Sequence, residues 1–173
     1  MTSDGQMKRQ SLPATLIVLR INNNFMVTLS FSYLPCMKPN VTFEKRDHYI
    51  LATGQGVRND LTTIIEGTKK IQEIVNQYGL QYVLSDYREV IFNVSSTEAF
   101  NIVKVYESKL PEIKGVIIAA VISREFLDLL KFWESICQRR GFMYKVFTEI
   151  DEAEKWLLSQ AHNNVIDDPA VNE

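Results

Sequence analysis

The side chains able to do chemistry are few and scattered. There are two cysteines, Cys36 and Cys137, far apart in the chain, and two histidines, His48 and His162. A disulfide framework or a four-ligand zinc site needs cysteines and histidines at short repeated spacings, and this inventory does not supply them. Cys137 falls in a helical apolar stripe, which reads as a small core hydrophobe rather than a nucleophile. His48 lies in an expected turn and His162 in a polar tail, neither with a companion at ligand spacing. A general acid or base wants a partner that tunes it, and no serine–histidine or cysteine–histidine constellation stands out. Gly54-Gln55-Gly56 lacks the later glycine or lysine of a phosphate-binding loop. The expectation is a non-catalytic domain without cofactor or metal.

Two local clusters have chemistry that suits recognition. Asp86 and Arg88 place a carboxylate and a guanidinium two residues apart. They are expected at the carboxyl end of a central strand, where open α/β sheets present their sites. Two readings are open: the pair anchors the following loop by mutual hydrogen bonding, or it contacts a ligand or partner directly. The second cluster, Asn93 to Thr97, leads into a helix announced by Ser95-x-x-Glu98, a capping-box spacing. Free N–H groups and the helix dipole at such an entrance favour a phosphate or an acidic group. Ser95 therefore reads either as a cap alone or as a phosphorylation site. Asp86, Arg88, Asn93, Ser95, Ser96 and Thr97 together make up the candidate partner or ligand surface. The aromatics Phe126, Phe132, Trp133, Phe142, Tyr144, Phe147 and Trp156 crowd the last third, and their spacing assigns most of them to core rather than to a ligand cage.

Composition bounds what these residues can serve. A chain of 173 residues, 46% hydrophobic, suits one domain with an ordinary core. With 19 basic and 21 acidic residues the net charge is −2, so a broad basic footprint for nucleic acid is missing. Lys69-Lys70 and Arg139-Arg140 read as solvated helix faces. The apolar stretches at residues 12–21 and 25–34 fall short of the ~20 residues that span a bilayer, and Arg20 and Asn22-Asn23-Asn24 interrupt them. No stable membrane insertion is expected, and the protein reads as cytoplasmic. Residues 1–39 form an N-terminal extension, read as an extended start or a poorly ordered leader. A hairpin across the asparagine turn and an export or membrane signal are the competing readings.

From Val41 onward the pattern is regular. Val41 to Arg46 and Tyr49 to Gly54 alternate as a strand pair around Asp47-His48. Asn59 or Asp60 then caps a helix carrying Leu61, Ile64, Ile65, Thr68, Ile71 and Val75, closed by Gly79. A middle strand over residues 81–86 leads through a linker to the Ser95 helix, which stops at Pro111. Residues 116–122 are a continuous apolar run and hence an interior strand. Ser123 opens a helix with Leu127, Leu130, Trp133 and Cys137 inward, ending at Gly141. A strand over residues 143–147 and a helix holding Ala153, Trp156 and Leu157 complete the domain, and residues 161–173 are a polar tail. The order β-β-α-β-α-β-α-β-α implies an α/β fold with a mixed, mainly parallel sheet and helices packed on it.

That order, Asp86-Tyr87-Arg88 after the middle strand, and the stretch from Phe147 to Glu152-Ala153-Glu154-Lys155-Trp156-Leu157 resemble the STAS-like family over residues 40–160. The family includes anti-sigma-factor antagonists, and one variant is grouped with lipid-binding Sec14-type domains. The resemblance implies a regulatory module that binds a protein partner, with a small-molecule or lipid-binding domain as the alternative and an enzyme with a hidden site as the third. It implies a phosphorylatable serine at Ser95, although Val94 stands where antagonists carry aspartate and Thr97 where they carry glycine. Oligomeric state is not specified by any of these features.

Overall fold

In the computed structural model, residues 39–166 are described. The expectations for the apolar stretches before Pro39 and for residues 167–173 lie outside the described residues. Strand β1 (Asn40–Lys45) pairs antiparallel with β2 (Ile50–Arg58), Lys45 opposite Ile50. Helix α1 (Leu61–Tyr78) begins where the Asp60 carboxylate accepts from the Thr63 N–H. It ends at Gly79, whose φ of 65° lets its N–H reach the Val75 carbonyl. Strand β3 (Tyr82–Phe92) and helix α2 (Ser96–Lys109) follow. Pro111 cannot continue α2, and a 3₁₀ turn (Pro111–Gly115) leads into β4 (Ile117–Ile122). A second 3₁₀ turn (Arg124–Phe126), α3 (Leu127–Arg139), β5 (Met143–Phe147) and α4 (Ile150–Ile166) close the order.

The protein is α/β: the strands lie in chain order β1 to β5 in a five-stranded sheet, with β1–β2 antiparallel and the other pairs parallel. Crossovers of one hand between neighbouring strands leave their helices on one face, and α1, α2 and α3 do share one. Ile64, Ile71, Ile102, Val103, Leu130 and Ile136 pack there against Ile50, Ala52, Val83, Ile122 and Val146. Among the described residues helix α4 is the one helix on the opposite face, placing Ala153 and Leu157 on Leu84, Ile117, Ala119 and Val121. Trp156, expected inward with them, is half-buried at their flank, its ring 5.7 Å from that of Phe147.

The structure corrects the sequence reading at three places. Strand β2 continues beyond Gly54 to Arg58, and β3 continues beyond Asp86 to Phe92 where a linker was expected. The two extensions pair with each other, Val57 opposite Ile91 and Arg58 opposite Phe92. A β-bulge hides this continuity: Thr53 faces Asp86 but Gln55 faces Glu89, so β3 carries one extra residue opposite Gly54. Arg88 and Glu89 are consequently both exposed, and the simple alternation breaks there. At the end of the chain, α4 continues past Gln160 to Ile166, into the stretch assigned to the tail. Ser123 precedes a 3₁₀ turn with no side-chain cap bond, and α3 itself begins only at Leu127.

Candidate functional site

Strand alternation builds the floor of a partly open cavity on the three-helix face. Along β2 the buried positions are Ile50, Ala52, Gly54, Gly56 and Arg58, so the last of the series turns a guanidinium inward. On β3 the same face receives Ser85 and Tyr87 and, after the bulge, Phe92. Ile118 and Tyr144 extend the floor across β4 and β5. Ile64, Gly67, Thr68 and Ile71 of α1, Tyr106 of α2, and Trp133 and Cys137 of α3 close it from above. Ile113, Val116, Phe142 and Met143 complete the wall around a cavity of about 70 Å³. Two glycines make room for it. A Cβ at Gly54 would stand 2.6 Å from Tyr87 Cδ1, and one at Gly67 would stand 3.3 Å from Arg58 Nη1.

Most of the wall is apolar, and its polar groups are incompletely satisfied. Thr68 donates to the Ile64 carbonyl at 3.1 Å, which leaves its oxygen to accept from the Tyr106 hydroxyl at 2.7 Å. Ser85 Oγ and Trp133 Nε1 are the buried side-chain polar atoms without a hydrogen-bond partner among the described residues. Both belong to this wall. Ser85 stands close enough to Tyr87, and the Trp133 indole close enough to Cys137, to oppose in small part the rise that burial imposes on each, yet neither contact reaches hydrogen-bonding geometry. Arg58 is only 6% exposed and donates Nη1 to the Thr63 carbonyl at 2.9 Å. No carboxylate among the described residues forms an ion pair with it.

Burial governs the titration of these groups. It pushes the Tyr106 phenol far above its usual range, against the opposing hydrogen bond to Thr68 and the charge of Arg58. Tyr87 is raised by burial and drawn back by Arg58. Tyr144 is raised by burial and further by its neighbours Cys137, Tyr87 and Tyr106, which places these groups around one space. Burial pushes the Cys137 thiol up to about 12. At neutral pH that thiol is protonated and a poor nucleophile.

The six residues singled out in the sequence occupy two separate places. Asp86 alternates with Ser85 and Tyr87 and so points to the α4 side of the sheet, mid-strand rather than at its carboxyl end. There Arg88 grips it through Nε at 2.9 Å and Nη2 at 2.6 Å. The fork of Arg88 donors holds the Asp86 carboxyl below its usual range. The pair is thus a same-face clasp across the bulge. It does not anchor a loop, because the strand continues. Asn93, Ser95, Ser96 and Thr97 lie exposed at the α2 entrance. Asn93 Nδ2 donates to Asn59 Oδ1 at 3.3 Å, joining the entrances of α1 and α2. The Ser95 hydroxyl is fully engaged as a cap: it accepts from the Glu98 N–H at 3.2 Å and donates to Glu98 Oε2 at 2.9 Å. The Ser95 N–H also donates to Glu98 Oε2, at 2.8 Å, closing the capping box.

Arg58, Ser85 and Tyr87 did not figure in the sequence reading as site residues, and Trp133, Cys137 and Tyr144 figured only as core. A signal for Arg58 existed. Two-residue alternation continues from Ile50 through Gly56 to Arg58, and carrying it past the glycines places a cation on the buried face. No protein-family model matches the chain, and no curated protein matches it significantly.

Proposed function

We propose that this is a non-catalytic, STAS-like domain that encloses a small molecule between its sheet and helices α1 to α3. The observation that carries the reading is the coincidence of polar groups on one cavity wall: Ser85 Oγ and Trp133 Nε1 lack a hydrogen-bond partner, and the Arg58 guanidinium lacks an ion-pair partner, among the described residues. Buried polar groups in native proteins are nearly always paired, and a site with a few convergent polar groups in an apolar wall is the usual form of a ligand pocket. At about 70 Å³ the space is roughly half that of an engineered apolar cavity that admits benzene. The reading therefore concerns a compact ligand of few heavy atoms. The STAS-like part of the proposal is supported by the element order and by Asp86-Tyr87-Arg88 and Phe147 to Leu157. Native mass spectrometry of the purified chain, compared with the denatured chain, tests the binding reading. A bound small molecule that is released on denaturation is expected. The reading fails if none is found and small aliphatic probes of about two to four heavy atoms leave the melting temperature unchanged.

A second reading, docking of a regulatory protein at the α2 entrance, is favoured by one observation. The Asn59–Asn93 contact unites two helix entrances into an exposed polar surface with Ser95, Ser96 and Thr97. Recovery of the same partners by wild type, Ser95→Ala and Ser95→Glu in equal amounts would refute it.

A further inference from the structure

We infer that the ligand is a small monocarboxylate whose charged end pairs with Arg58 and whose apolar remainder lies against the aromatic wall. This rests on the ligand-binding reading above and names the chemistry of the ligand.

Arg58 is the one charged side chain on the cavity wall, and it is 6% exposed with no ion-pair partner among the described residues. A guanidinium stays ionised in a protein, so burial cannot be relieved by losing the proton. It offers five N–H donors, and one is placed on the Thr63 carbonyl at 2.9 Å. A single buried cation asks for a single negative charge, and the planar fork matches a carboxylate in two parallel hydrogen bonds. A tetrahedral dianion would bring one charge more than the wall can neutralise.

The rest of the wall fits the rest of such a molecule. The Ser85 hydroxyl lacks a partner and is able to donate to a carboxylate oxygen. Beyond the polar end stand Ile118, Phe142, Tyr144 and Trp133, the last two stacked with ring centroids 6.1 Å apart. Gly67 contributes by omission. The missing Cβ leaves the guanidinium room beside α1, with Arg58 Nη1 and Nη2 at 3.3 and 3.5 Å from where that Cβ would stand.

The experiment compares acids with neutral isosteres of the same shape. Acetate and propanoate, against acetamide and propanamide, are titrated into the full chain by calorimetry and by thermal shift. Wild type is expected to prefer each acid over its amide by about tenfold or more, since hydrogen bonds to an ionised partner are about twice as strong as neutral ones. Arg58→Met should bring acid and amide to within about twofold of each other while still binding one of them. Arg58→Lys keeps the charge without the fork, and should retain a weakened preference for the acids. If amides bind wild type as well as the acids do, the carboxylate assignment is wrong and the cavity reading survives. If neither class binds and native mass spectrometry finds the protein empty, the cavity reading fails, and this inference with it. Should both Arg58 variants fail to fold, judged by circular dichroism, the acid–amide comparison on wild type still decides.

Discussion

Gly54→Ala should destabilise the domain by obstructing Tyr87, although a glycine-to-alanine change inside a strand ordinarily helps. The added Cβ would lie 2.6 Å from Tyr87 Cδ1, 2.8 Å from Cε1 and 3.1 Å from Val90 Cγ2. Carbon atoms pack best at about 3.5–4.0 Å, so the ring must retreat by about 1 Å. It has little freedom to do so, because Phe92 meets it edge-on with centroids 6.5 Å apart. Overpacking of this kind costs about 2–3 kcal/mol, and the gain from removing a strand glycine offsets about 0.5–1 of that. The net loss is about 1–2.5 kcal/mol, which in a domain of this size lowers the melting temperature by about 3–10 °C. Urea unfolding of wild type, Gly54→Ala, Tyr87→Ala and the double variant separates obstruction from any other cause. With the ring gone, the alanine should be neutral or mildly stabilising, giving a coupling of about 2 kcal/mol between the two sites. The reasoning is refuted if Gly54→Ala unfolds with wild type, or if the two losses simply add.

Four further outcomes are expected. In the ligand-free protein Arg58→Met should raise stability by about 1 kcal/mol in urea unfolding, because it removes a buried charge with no counter-charge; a large loss would mean that Arg58 is satisfied where it stands. Ser95→Ala should lower stability by about 1 kcal/mol through loss of the α2 cap, and Ser95→Asp should recover most of it. Burial, with a hydrogen bond to Glu154 in the case of Tyr49, raises the Cys137 thiol and the Tyr49 phenol to about 12, so the folded state holds both protons longer than the unfolded chain. Their contribution is complete below about pH 9 and declines as pH rises towards 12, and the melting temperature of Cys137→Ala should fall less steeply over that window. Trp156→Ala should cost about 1–2 kcal/mol by thermal melting, less than a fully buried tryptophan, because its ring is only half-buried against Phe147.

How far the sequence could be read depended on whether each feature was local. Asp60 before α1, Gly79 after it, and the Ser95–Glu98 box before α2 involve neighbouring residues only, and all three are where local chemistry puts them. The apolar run in β4 was equally plain, since a strand covered on both faces has no polar side to alternate with. The bulge was not plain. It depends on β3 having one residue more than β2 between two pairing points, a relation between strands that neither strand states alone. Its effect was to shorten both strands in the reading, which hid Arg58 and moved Asp86 from mid-strand to a strand end. The cavity was further out of reach. Trp133, Cys137 and Tyr144 have the spacing of core residues because they are on the core face, and no periodicity distinguishes a filled interior from one with space left in it.

Energetics give that space its meaning. Leaving a hydroxyl or an indole N–H buried and unpaired costs about 1–3 kcal/mol each. Ser85 and Trp133 together therefore set a burden of about 2–6 kcal/mol on the empty domain, and Arg58 adds a buried cation with no ion-pair partner among the described residues. Apolar residues of similar volume at the same positions would pack the interior without it. A molecule that satisfied all three at once would recover that energy on binding. The same groups that weaken the empty domain would then make its stability rise with ligand concentration. Binding and folding would thus be coupled through the three-helix face, while the Asp86–Arg88 clasp and α4 on the other side of the sheet would feel the ligand through strands β3, β4 and β5.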